Sequence, residues 1–475
     1  MSNEFEMVIG LEVHVELKTK TKIFCGCPTD FGAEPNTQCC PVCMGMPGTL
    51  PVLNKQVVDF AIQAGLATNC EIAKFSKQDR KNYFYPDLPK AYQISQYDLP
   101  LCEHGYLDIE TKSGSKRIGI TRIHIEEDAG KLVHDKEHGT MFDCNRCGVP
   151  LIEIVSEPDI RSADEARAYV QKLRSILMYT GVSDCKMNEG SLRCDVNLSI
   201  RRAGDKEFGT RTEMKNLNSI NFIVKAIEYE YKRQVDALKA GEQIIQETRR
   251  FDADSGKTYS MRSKENANDY RYFPDPDLPP IKKNKAEIDS LLSKIPTLPD
   301  QRKKEYTQKY GLTPYDAEII TSQKEFADYF EAAAKSTDFP KLAANLLIGE
   351  VFRMMQPDDV IIPISAKHLA EIAQMSGSNI INSSTAKKLC KMLWDNDRDP
   401  AEIVKEQGLA QINDSQQISA WADEVFAQNP KSIADYKKGK TAAMGALIGQ
   451  VMAKSRGRAN PALVNDIVAQ KLSQQ

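Results

Sequence analysis

The segment IGLEVHVEL, residues 9–17, alternates between apolar and polar positions and decides the fold class of the first half of the chain. The odd-numbered residues from Ile9 to Leu17 are all apolar, whereas Glu12, His14 and Glu16 occupy even-numbered positions. A period of two is typical of a β-strand that packs one face on a core. The segment therefore predicts a half-buried strand whose outer face is acidic.

Three further segments place acidic groups beside or after an apolar alternation. They contribute Glu153 and Glu157 in segment 151–157, Asp195 in segment 194–200, and Glu126, Glu127 and Asp128 in segment 123–131. Crowded carboxylates repel each other unless a cation or protons neutralise them, and oxygen-rich sites suit Mg²⁺ or Mn²⁺. Because a strand pattern does not show that the four segments are neighbours, a solvated outer face of a sheet stays an open alternative.

Helix signals separate these strands and dominate the second half of the chain. Ser162 and Glu165 have the spacing of a capping box before an apolar stripe that ends at Gly181, and a second helix is predicted from about Asn221 to Ala240. The proline-rich segment 272–280 interrupts regular structure, and helices follow it. We expect an α+β chain with a mixed sheet-and-helix domain at residues 1–290, a helical domain at residues 291–407 and a helical tail at residues 408–475.

Length and composition are those of a globular protein of roughly three domains. The 475 residues are 41% hydrophobic and 27% charged, and a formal net charge of −3 provides no overall basic field for nucleic acid. The N-terminus lacks the basic and apolar regions of a signal peptide, and no apolar run approaches the about 18 residues of a membrane helix. We expect a soluble, cytoplasmic protein that is not bound to a membrane.

Five of the twelve cysteines lie within the nineteen residues from Cys25 to Cys43. Cys25 and Cys27 form one close pair, and Cys40 and Cys43 form another after a short loop. Two short turns that each supply two thiolates suit tetrahedral Zn²⁺, although a set of buried free thiols is the alternative. The spacing therefore predicts a zinc-binding loop at residues 25–43.

Three other cysteines are not part of this predicted set. Cys39 is surplus, because adjacent cysteines rarely bind the same ion. Cys144 and Cys147 also have CxxC spacing, but no second pair lies near them in the sequence. We expect Cys144 and Cys147 to be incidental thiols of a loop.

Basic and aromatic residues alternate through segment 79–96, which includes Arg80, Lys81, Tyr83 and Lys90. Such a segment can bind phosphates or stack a base, or it can be a rigid loop that packs its tyrosines on the domain. Both Gly-Lys-Thr triplets, at residues 256–258 and 439–441, lack the glycine that a P-loop has five residues earlier. An ATP site would therefore be of another kind.

Taken together, these segments resemble the B subunit of bacterial tRNA-dependent amidotransferases. The resemblance is carried, in order, by residues 9–17, 80–90, 124–131, 150–159, 190–197, 215–219 and 269–274. It spans essentially the whole chain, and long matches in this order are far more specific than one short motif.

The resemblance implies a catalytic cradle domain, a helical domain and a tail that contacts tRNA. It also implies two chemical steps. ATP phosphorylates the side-chain carboxylate of Glu or Asp on a misacylated tRNA, and ammonia then displaces phosphate to give Gln-tRNA or Asn-tRNA. A carboxylate has no good leaving group whereas an acyl phosphate does, and Mg²⁺ would neutralise charge during transfer.

Motif by motif, the resemblance also implies site residues. The implied metal ligands are His14, Glu127 and Glu153, and Glu12 and Asp195 join them in the catalytic site. Alternation from Ile123 alone favours Glu126 over Glu127, and here the expectation follows the resemblance. The implied structural zinc ligands are Cys25, Cys27, Cys40 and Cys43. The residues expected along the ATP and ammonia path are Arg80, Lys81, Tyr83 and Lys90.

The chain has no glutaminase signature, so we expect an amidase (A) subunit to supply ammonia and a small C subunit to complete a heterotrimer. Two alternatives are a non-catalytic tRNA-binding scaffold and a free-standing carboxylate–amine ligase. The tail carries a local concentration of basic residues that the whole chain lacks, and it is predicted to bind tRNA phosphates. These residues are Lys437, Lys438, Lys440, Lys454, Arg456 and Arg458.

Overall fold

The computed structural model describes residues 4–135, 137, 139–263, 270–356, 359–438 and 440–474. Asp269, the first residue of one quoted motif, and Gly439, of one Gly-Lys-Thr triplet, lie outside the described residues. The chain divides into two compact units, Met1–Leu298 and Pro299–Gln475. The first combines sheets with helices and the second is helical, which confirms the α+β prediction. The predicted boundary at 407/408 stays a prediction.

Most strands of the first unit belong to one main sheet with the order β14-β13-β12-β11-β1-β10-β7-β6-β2. All neighbours in it pair antiparallel except β12 and β13. Smaller sheets are β15-β4-β5, β16-β3 and β8-β9. The strands are β1 (Phe5–Glu16), β2 (Glu71–Ile72), β3 (Phe75–Ser76), β4 (Asp79–Asn82), β5 (Tyr92–Ser95), β6 (Cys102–Thr111), β7 (Gly114–Glu127), β8 (Lys131–Asp135), β9 (Gly139–Asp143), β10 (Pro150–Ser156), β11 (Leu192–Arg202), β12 (Thr212–Lys215), β13 (Glu247–Asp252), β14 (Lys257–Ser263), β15 (Phe273–Pro274) and β16 (Ile281–Lys282).

Three helices of the first unit pack on one face of the main sheet and form the core with its apolar stripe. Ile9, Leu11 and Val13 of β1 are at most 1% exposed on this face. Burying such side chains stabilises the fold by about 1.5–3 kcal/mol each. The helices of the unit are α1 (Lys55–Ala67), α2 (Ala163–Thr180), α3 (Ile220–Lys239) and the peripheral α4 (Lys285–Leu292).

The ends of α2 follow from local chemistry that the sequence indicates. The Ser162 side chain accepts a hydrogen bond from the Glu165 backbone N–H at 3.1 Å, and Gly181 ends the helix with φ 73°. The Glu165 carboxylate accepts from the backbone N–H of Arg161 at 2.8 Å, one residue before the position that a capping box uses. The predicted helix is confirmed. Ser162 is its N-cap, but the Glu165 side chain binds the backbone N–H of Arg161 and not that of Ser162, as a capping box would require.

The second unit is built from helices that are joined by short turns. Its helices are α5 (Pro299–Lys309), α6 (Pro314–Ile320), α7 (Lys324–Ala334), α8 (Pro340–Leu346), α9 (Phe352–Met354), α10 (Ala366–Gly377), α11 (Ser383–Asp395), α12 (Pro400–Glu406), α13 (Ser415–Gln428), α14 (Pro430–Lys437), α15 (Ala442–Lys454) and α16 (Pro461–Ser473). A π-helical segment, Leu347–Val351, joins α8 to α9. Helices α13 to α16 share a separate apolar core around Ile418, Leu447 and Val464. Among the described helices, none combines the length and apolar character that crossing a membrane requires.

Buried Glu230 connects α3 to β12, β13 and β14, and its carboxylate accepts from Thr212 of β12 at 3.2 Å. Its carboxylate accepts from Arg233 at 2.6 and 3.0 Å and from Thr258 at 2.9 Å, and it lies 3.3 Å from Arg249. Burial raises the pKa of Glu230, but hydrogen bonds from Arg233 and Gln234 outweigh it, so the net shift is downward. The charged form therefore stabilises the fold.

We expect Glu230→Gln to destabilise this region by about 3 kcal/mol at neutral pH, because it leaves two half-buried arginines without their buried anion. The folded-state pKa is lowered, so the stabilisation is present above the ordinary glutamate pKa and is lost as pH falls through the folded value. Hydrogen exchange of α3 and β12–β14, corrected for intrinsic rates, measures the local stability of the variant and of the unsubstituted protein. The difference in stability between them should shrink below about pH 4. The exposed Glu228→Gln is the matched control, and an equal effect there would contradict this expectation.

Candidate catalytic face and cysteine cluster

The four predicted acidic segments lie side by side at the centre of the main sheet. Strand β1 pairs with β10 and β11, and β10 pairs with β7. The register sets Glu12 opposite Asp195, and it aligns His14, Glu153 and His124 across three strands. These side chains share the face opposite the helices, because neighbouring residues of a strand point to opposite faces.

A cluster of two histidines and two glutamates occupies the middle of this face; we call it the carboxylate–histidine cluster (His14, His124, Glu126 and Glu153). His14 Nε2 lies 3.5 Å from both Glu126 Oε1 and Glu153 Oε2. His124 Nε2 lies 3.3 Å from Glu153 Oε2 and 3.7 Å from Glu126 Oε2. One ligand atom each from His14, Glu126 and Glu153 falls within 4.8 Å of the others, so the three can hold a metal ion.

Burial and neighbouring charges shift the pKa values of His14, His124 and Glu153. Burial lowers the pKa of His124, but Glu153 and Glu126 outweigh it and raise that pKa to about 9. Burial likewise lowers the pKa of His14, while the hydrogen bond to Glu153 and the charge of Glu126 raise it overall. Burial raises the pKa of Glu153, but His124 and His14 hold it well below its usual value. In the described part of the chain, the ion pairs of Glu126 and Glu153 are to these two histidines alone.

A second acidic group adjoins the cluster on the same face. Glu12, Asp195 and Glu213 place ligand atoms within 4.8 Å of one another. Lys215 Nζ lies 2.8 Å from Asp195 and 3.2 Å from Glu213. Burial raises the pKa of Glu12, and the charge of Glu153 adds to the shift, so the two acidic groups act on each other. Glu12 and Asp195, which the resemblance assigned to the site of His14, thus lie beside the cluster with an ammonium partner.

Glu127, which the resemblance assigned as a metal ligand, lies apart from His14 and Glu153. Its carboxylate is bound by Lys90 Nζ, with Oε2 at 2.6 Å, and by the backbone N–H of Ile94 at 2.8 Å. The reason is alternation: His124 and Glu126 point to the cluster face, so Glu127 at the end of β7 points elsewhere. The structure brings together His14 and Glu153 and puts Glu126 in the third position; the metal-binding role itself stays a prediction.

The other residues expected along the ATP and ammonia path are distributed around a small sheet. Arg80 is bound by Asp275 at 2.9 Å and Asp277 at 2.8 Å. Lys81 Nζ lies 4.8 Å from the centre of the Tyr270 ring, and Tyr83 stacks with Tyr85. Arg80, Lys90 and Glu127 line a cavity of about 250 Å³ that also reaches Cys25 and Cys43. An ATP-binding role for these residues stays a prediction.

The four predicted zinc ligands converge. Sulfur atoms of Cys25, Cys27, Cys40 and Cys43 lie within 4.8 Å of one another. Cys43 Sγ accepts from the Cys40 backbone N–H at 3.2 Å, as in a tight two-ligand turn. Lys22 is fully buried, and its Nζ lies 3.6 Å from Cys43 Sγ and 3.2 Å from the Cys144 carbonyl. A buried ammonium requires an anion, which thiolates of a metal site provide.

The remaining cysteines of this region lie around the four. Cys39 Sγ contacts the Asn36 carbonyl at 3.2 Å and does not join the group of four. Cys144 and Cys147 are buried and pack against Cys43. Cys144 and Cys147 are therefore part of the packing around the four sulfurs, a proximity that sequence spacing could not reveal because about a hundred residues separate the segments.

Comparisons with known proteins agree with this architecture. The family described as the GatB/GatE catalytic domain matches residues 7–289, and the family described as the GatB domain matches residues 328–472. Proteins named as the B subunit of aspartyl/glutamyl-tRNA(Asn/Gln) amidotransferase are 57% identical in Caldicellulosiruptor saccharolyticus, 54% in Carboxydothermus hydrogenoformans and 52% in Geotalea daltonii. Each comparison covers 99% of this chain and 99% of the relative. The chain therefore belongs to the family of amidotransferase B subunits that the GatB/GatE catalytic domain defines.

Proposed function

We propose that this chain is the kinase and transamidase subunit that amidates misacylated Glu-tRNA(Gln), Asp-tRNA(Asn) or both. The observation that supports it most is the carboxylate–histidine cluster on the open face of the main sheet. Two carboxylates and two imidazoles converge there, and a second acidic group with Lys215 lies beside them.

The proposed reaction has two steps. An oxygen of the tRNA-bound side-chain carboxylate attacks the γ-phosphorus of ATP, and the bond to the bridging oxygen breaks to release ADP. Ammonia then attacks the acyl carbon, phosphate leaves with the electron pair of the C–O bond, and a proton passes from nitrogen to the departing phosphate. The chain positions reactants and provides charge, and neither step requires a covalent bond to it.

The cluster fits a divalent cation, because its donors are carboxylate oxygens and one or two imidazole nitrogens. His14, Glu126 and Glu153 would hold Mg²⁺, and Glu127 joins them only if Lys90 releases its carboxylate. Bound Mg²⁺ neutralises the charge of ATP phosphates during phosphoryl transfer. Glu12, Asp195 and Lys215 orient the substrates beside it, and Arg80, Lys81, Tyr83 and Lys90 bind ATP or line the path of ammonia.

Ammonia comes from a partner in this proposal. An amidase subunit hydrolyses glutamine, a small third subunit completes the assembly, and the complex works in the cytoplasm, where misacylated tRNA is formed. The relatives' names support this, since a B subunit implies an assembly and tRNA is the named substrate of those proteins.

One experiment tests the whole proposal. The chain is assembled with its amidase and small subunits and incubated with ATP, glutamine and each misacylated tRNA in turn. We expect ADP and amidated aminoacyl-tRNA in equal amounts, and no ADP when this chain is omitted. ADP formation without this chain would make it a scaffold, and full activity of the chain alone with glutamine would make it a free-standing ligase.

We also propose that Cys25, Cys27, Cys40 and Cys43 hold one structural Zn²⁺. The paired turns, the converging sulfurs and the buried Lys22 support it. Binding at such a site contributes on the order of 10 kcal/mol, which is enough to order a loop that has little apolar content of its own.

The zinc content of two variants, each with one of two adjacent cysteines replaced, tests this proposal. Cys40→Ser should reduce the zinc content of the purified protein from one per chain to near zero, because it removes one of four thiolates. Cys39→Ser should leave one zinc per chain, since the Cys39 sulfur lies against the Asn36 carbonyl. Elemental analysis of protein prepared without chelators measures both. Absence of zinc from the unsubstituted protein would contradict the proposal.

A further inference from the structure

Five tyrosines from three separate segments form a continuous row beside the carboxylate–histidine cluster. We call Tyr85, Tyr83, Tyr270, Tyr272 and Tyr97, in that spatial order, the tyrosine row. Its two ends are stacked pairs, with ring centres 5.9 Å apart for Tyr85 and Tyr83 and 4.4 Å apart for Tyr272 and Tyr97. The inner contacts are edge-on, at 6.2 and 6.1 Å.

The backbone holds these segments together. The row surrounds the small sheet β15-β4-β5: Tyr83 and Tyr85 follow β4, Tyr97 follows β5, and Tyr270 and Tyr272 precede β15. The Asn82 side chain donates to the carbonyls of Tyr270 and Arg271 at 3.2 and 2.7 Å. The strand pairing and these hydrogen bonds therefore fix the positions of the rings relative to one another.

A row of rings that only packs would be buried, but this one is open at both ends. Tyr85 is 49% exposed and Tyr97 is 60% exposed. Phe84, between Tyr83 and Tyr85 in the sequence, is 73% exposed. Exposed rings that are held in place lose little freedom on binding a flat ligand, and every nucleic-acid base has a face that stacks on an aromatic ring.

The row borders the site. Lys81 lies over the Tyr270 ring, 4.8 Å from its centre. Ser95, two residues before Tyr97, donates its hydroxyl to Glu126 Oε2 at 3.5 Å, so this end of the row lies beside the cluster. A single nucleic-acid strand that stacks along the row therefore reaches the carboxylate–histidine cluster. The Lys81 ammonium beside the row can bind one of its phosphates.

We propose that the tyrosine row binds the unpaired 3′ nucleotides of the misacylated tRNA and leads their aminoacyl group to the carboxylate–histidine cluster. This inference rests on the proposed function and adds the residues that select a single-stranded RNA end. Five connected rings exceed what the single adenine of ATP needs, whereas several successive unpaired bases match them.

The test measures the affinity of the assembled complex for intact tRNA and for the same tRNA without its unpaired 3′ nucleotides. For intact tRNA, Tyr97→Leu and Tyr85→Leu should each bind about tenfold more weakly than the unsubstituted complex. For the shortened tRNA, the variants and the unsubstituted complex should bind equally. Tyr97→Phe, which keeps the ring, should bind intact tRNA normally. Tyr259→Leu is the matched control, since Tyr259 is 48% exposed and belongs to β14 at the edge of the main sheet.

Each other result overturns the inference. If the leucine variants weaken intact and shortened tRNA alike, the row does not bind the 3′ end. A raised KM for ATP with unchanged tRNA affinity would make adenine of ATP the occupant. Unsubstituted complex that binds neither tRNA would overturn the proposed function itself, which separates that failure from failure of the row.

Discussion

Glu153→Gln lowers ADP release with misacylated tRNA by on the order of 10³-fold in the proposed mechanism. Metal charge stabilisation contributes several kcal/mol to a phosphoryl transfer, and each 1.36 kcal/mol is about tenfold in rate. Glu153 lies 3.5 Å from His14 and 3.3 Å from His124, so its amide would remove the central negative charge of the cluster. His14→Ala should have a similar effect, because it removes a ligand and a neighbour of both carboxylates.

The measurement is ADP release by the assembled complex, with tRNA affinity and glutamine hydrolysis determined in parallel. tRNA affinity should change little, since neither substitution touches the tyrosine row or the tail. Glu157→Gln is the matched control: Glu157 is exposed, follows β10, and binds Thr121 at 2.8 Å. Normal ADP release by both Glu153→Gln and His14→Ala would contradict the assignment of the cluster.

Glu126 and Glu127 separate the geometric assignment from the assignment that the resemblance implies. If Glu126 is the third ligand, Glu126→Gln raises the Mg²⁺ concentration needed for half-maximal ADP release, and Glu127→Gln leaves that concentration unchanged. The reverse result would mean that Lys90 releases Glu127 when substrates bind. Thermal unfolding of both variants separates loss of a ligand from loss of stability, because Glu127 also binds Lys90 and the Ile94 backbone N–H.

The sequence predicted strands and helices well where the periodicity and capping residues of a single element were sufficient to identify it. Helix α2 begins after Ser162 and ends at Gly181 as predicted, because the Ser162 side chain accepts from the backbone N–H of Glu165 and Gly181 has a positive φ. The polar face of β1 was also visible as alternation. Both are consequences of side-chain period and capping, which need no knowledge of neighbours.

The site was predicted less completely because it depends on which strands are neighbours. His124 and Glu126 lie on the cluster face by the same alternation that identified β1, so their signal was present but was outweighed by the motif match to Glu127. Glu213 and Lys215 sit on the four-residue strand β12, which is too short for alternation to identify. The packing of Cys144 and Cys147 against Cys43 requires two distant loops to meet, and sequence spacing carries no such information.

Deletion of the tail, residues 408–475, is expected to have a large effect on tRNA affinity. Three of its basic residues make contacts within the tail: Lys440 lies 3.2 Å from Asp435, Lys454 is paired with Glu424, and Arg458 donates to the Gly408 carbonyl at 2.8 Å. Replacing any of them would change contacts within the tail as well as its charge. Lys438 and Arg456 are exposed, and they are the residues that we choose to test phosphate binding.

Deleting residues 408–475 should weaken tRNA binding by on the order of tenfold or more and raise KM for misacylated tRNA, because several phosphate contacts are lost. ADP release at saturating tRNA should persist, since the cluster lies in the other unit. Replacing Lys438 and Arg456 together by Gln keeps α13 to α16 and their core, and it should flatten the slope of log affinity against log salt by about 1 to 2. The matched control replaces Lys335 and Lys391, two exposed lysines of the second unit outside the tail, and removes the same charge. Identical affinities and salt slopes for the tail variant and the control would mean that the tail does not bind tRNA phosphates.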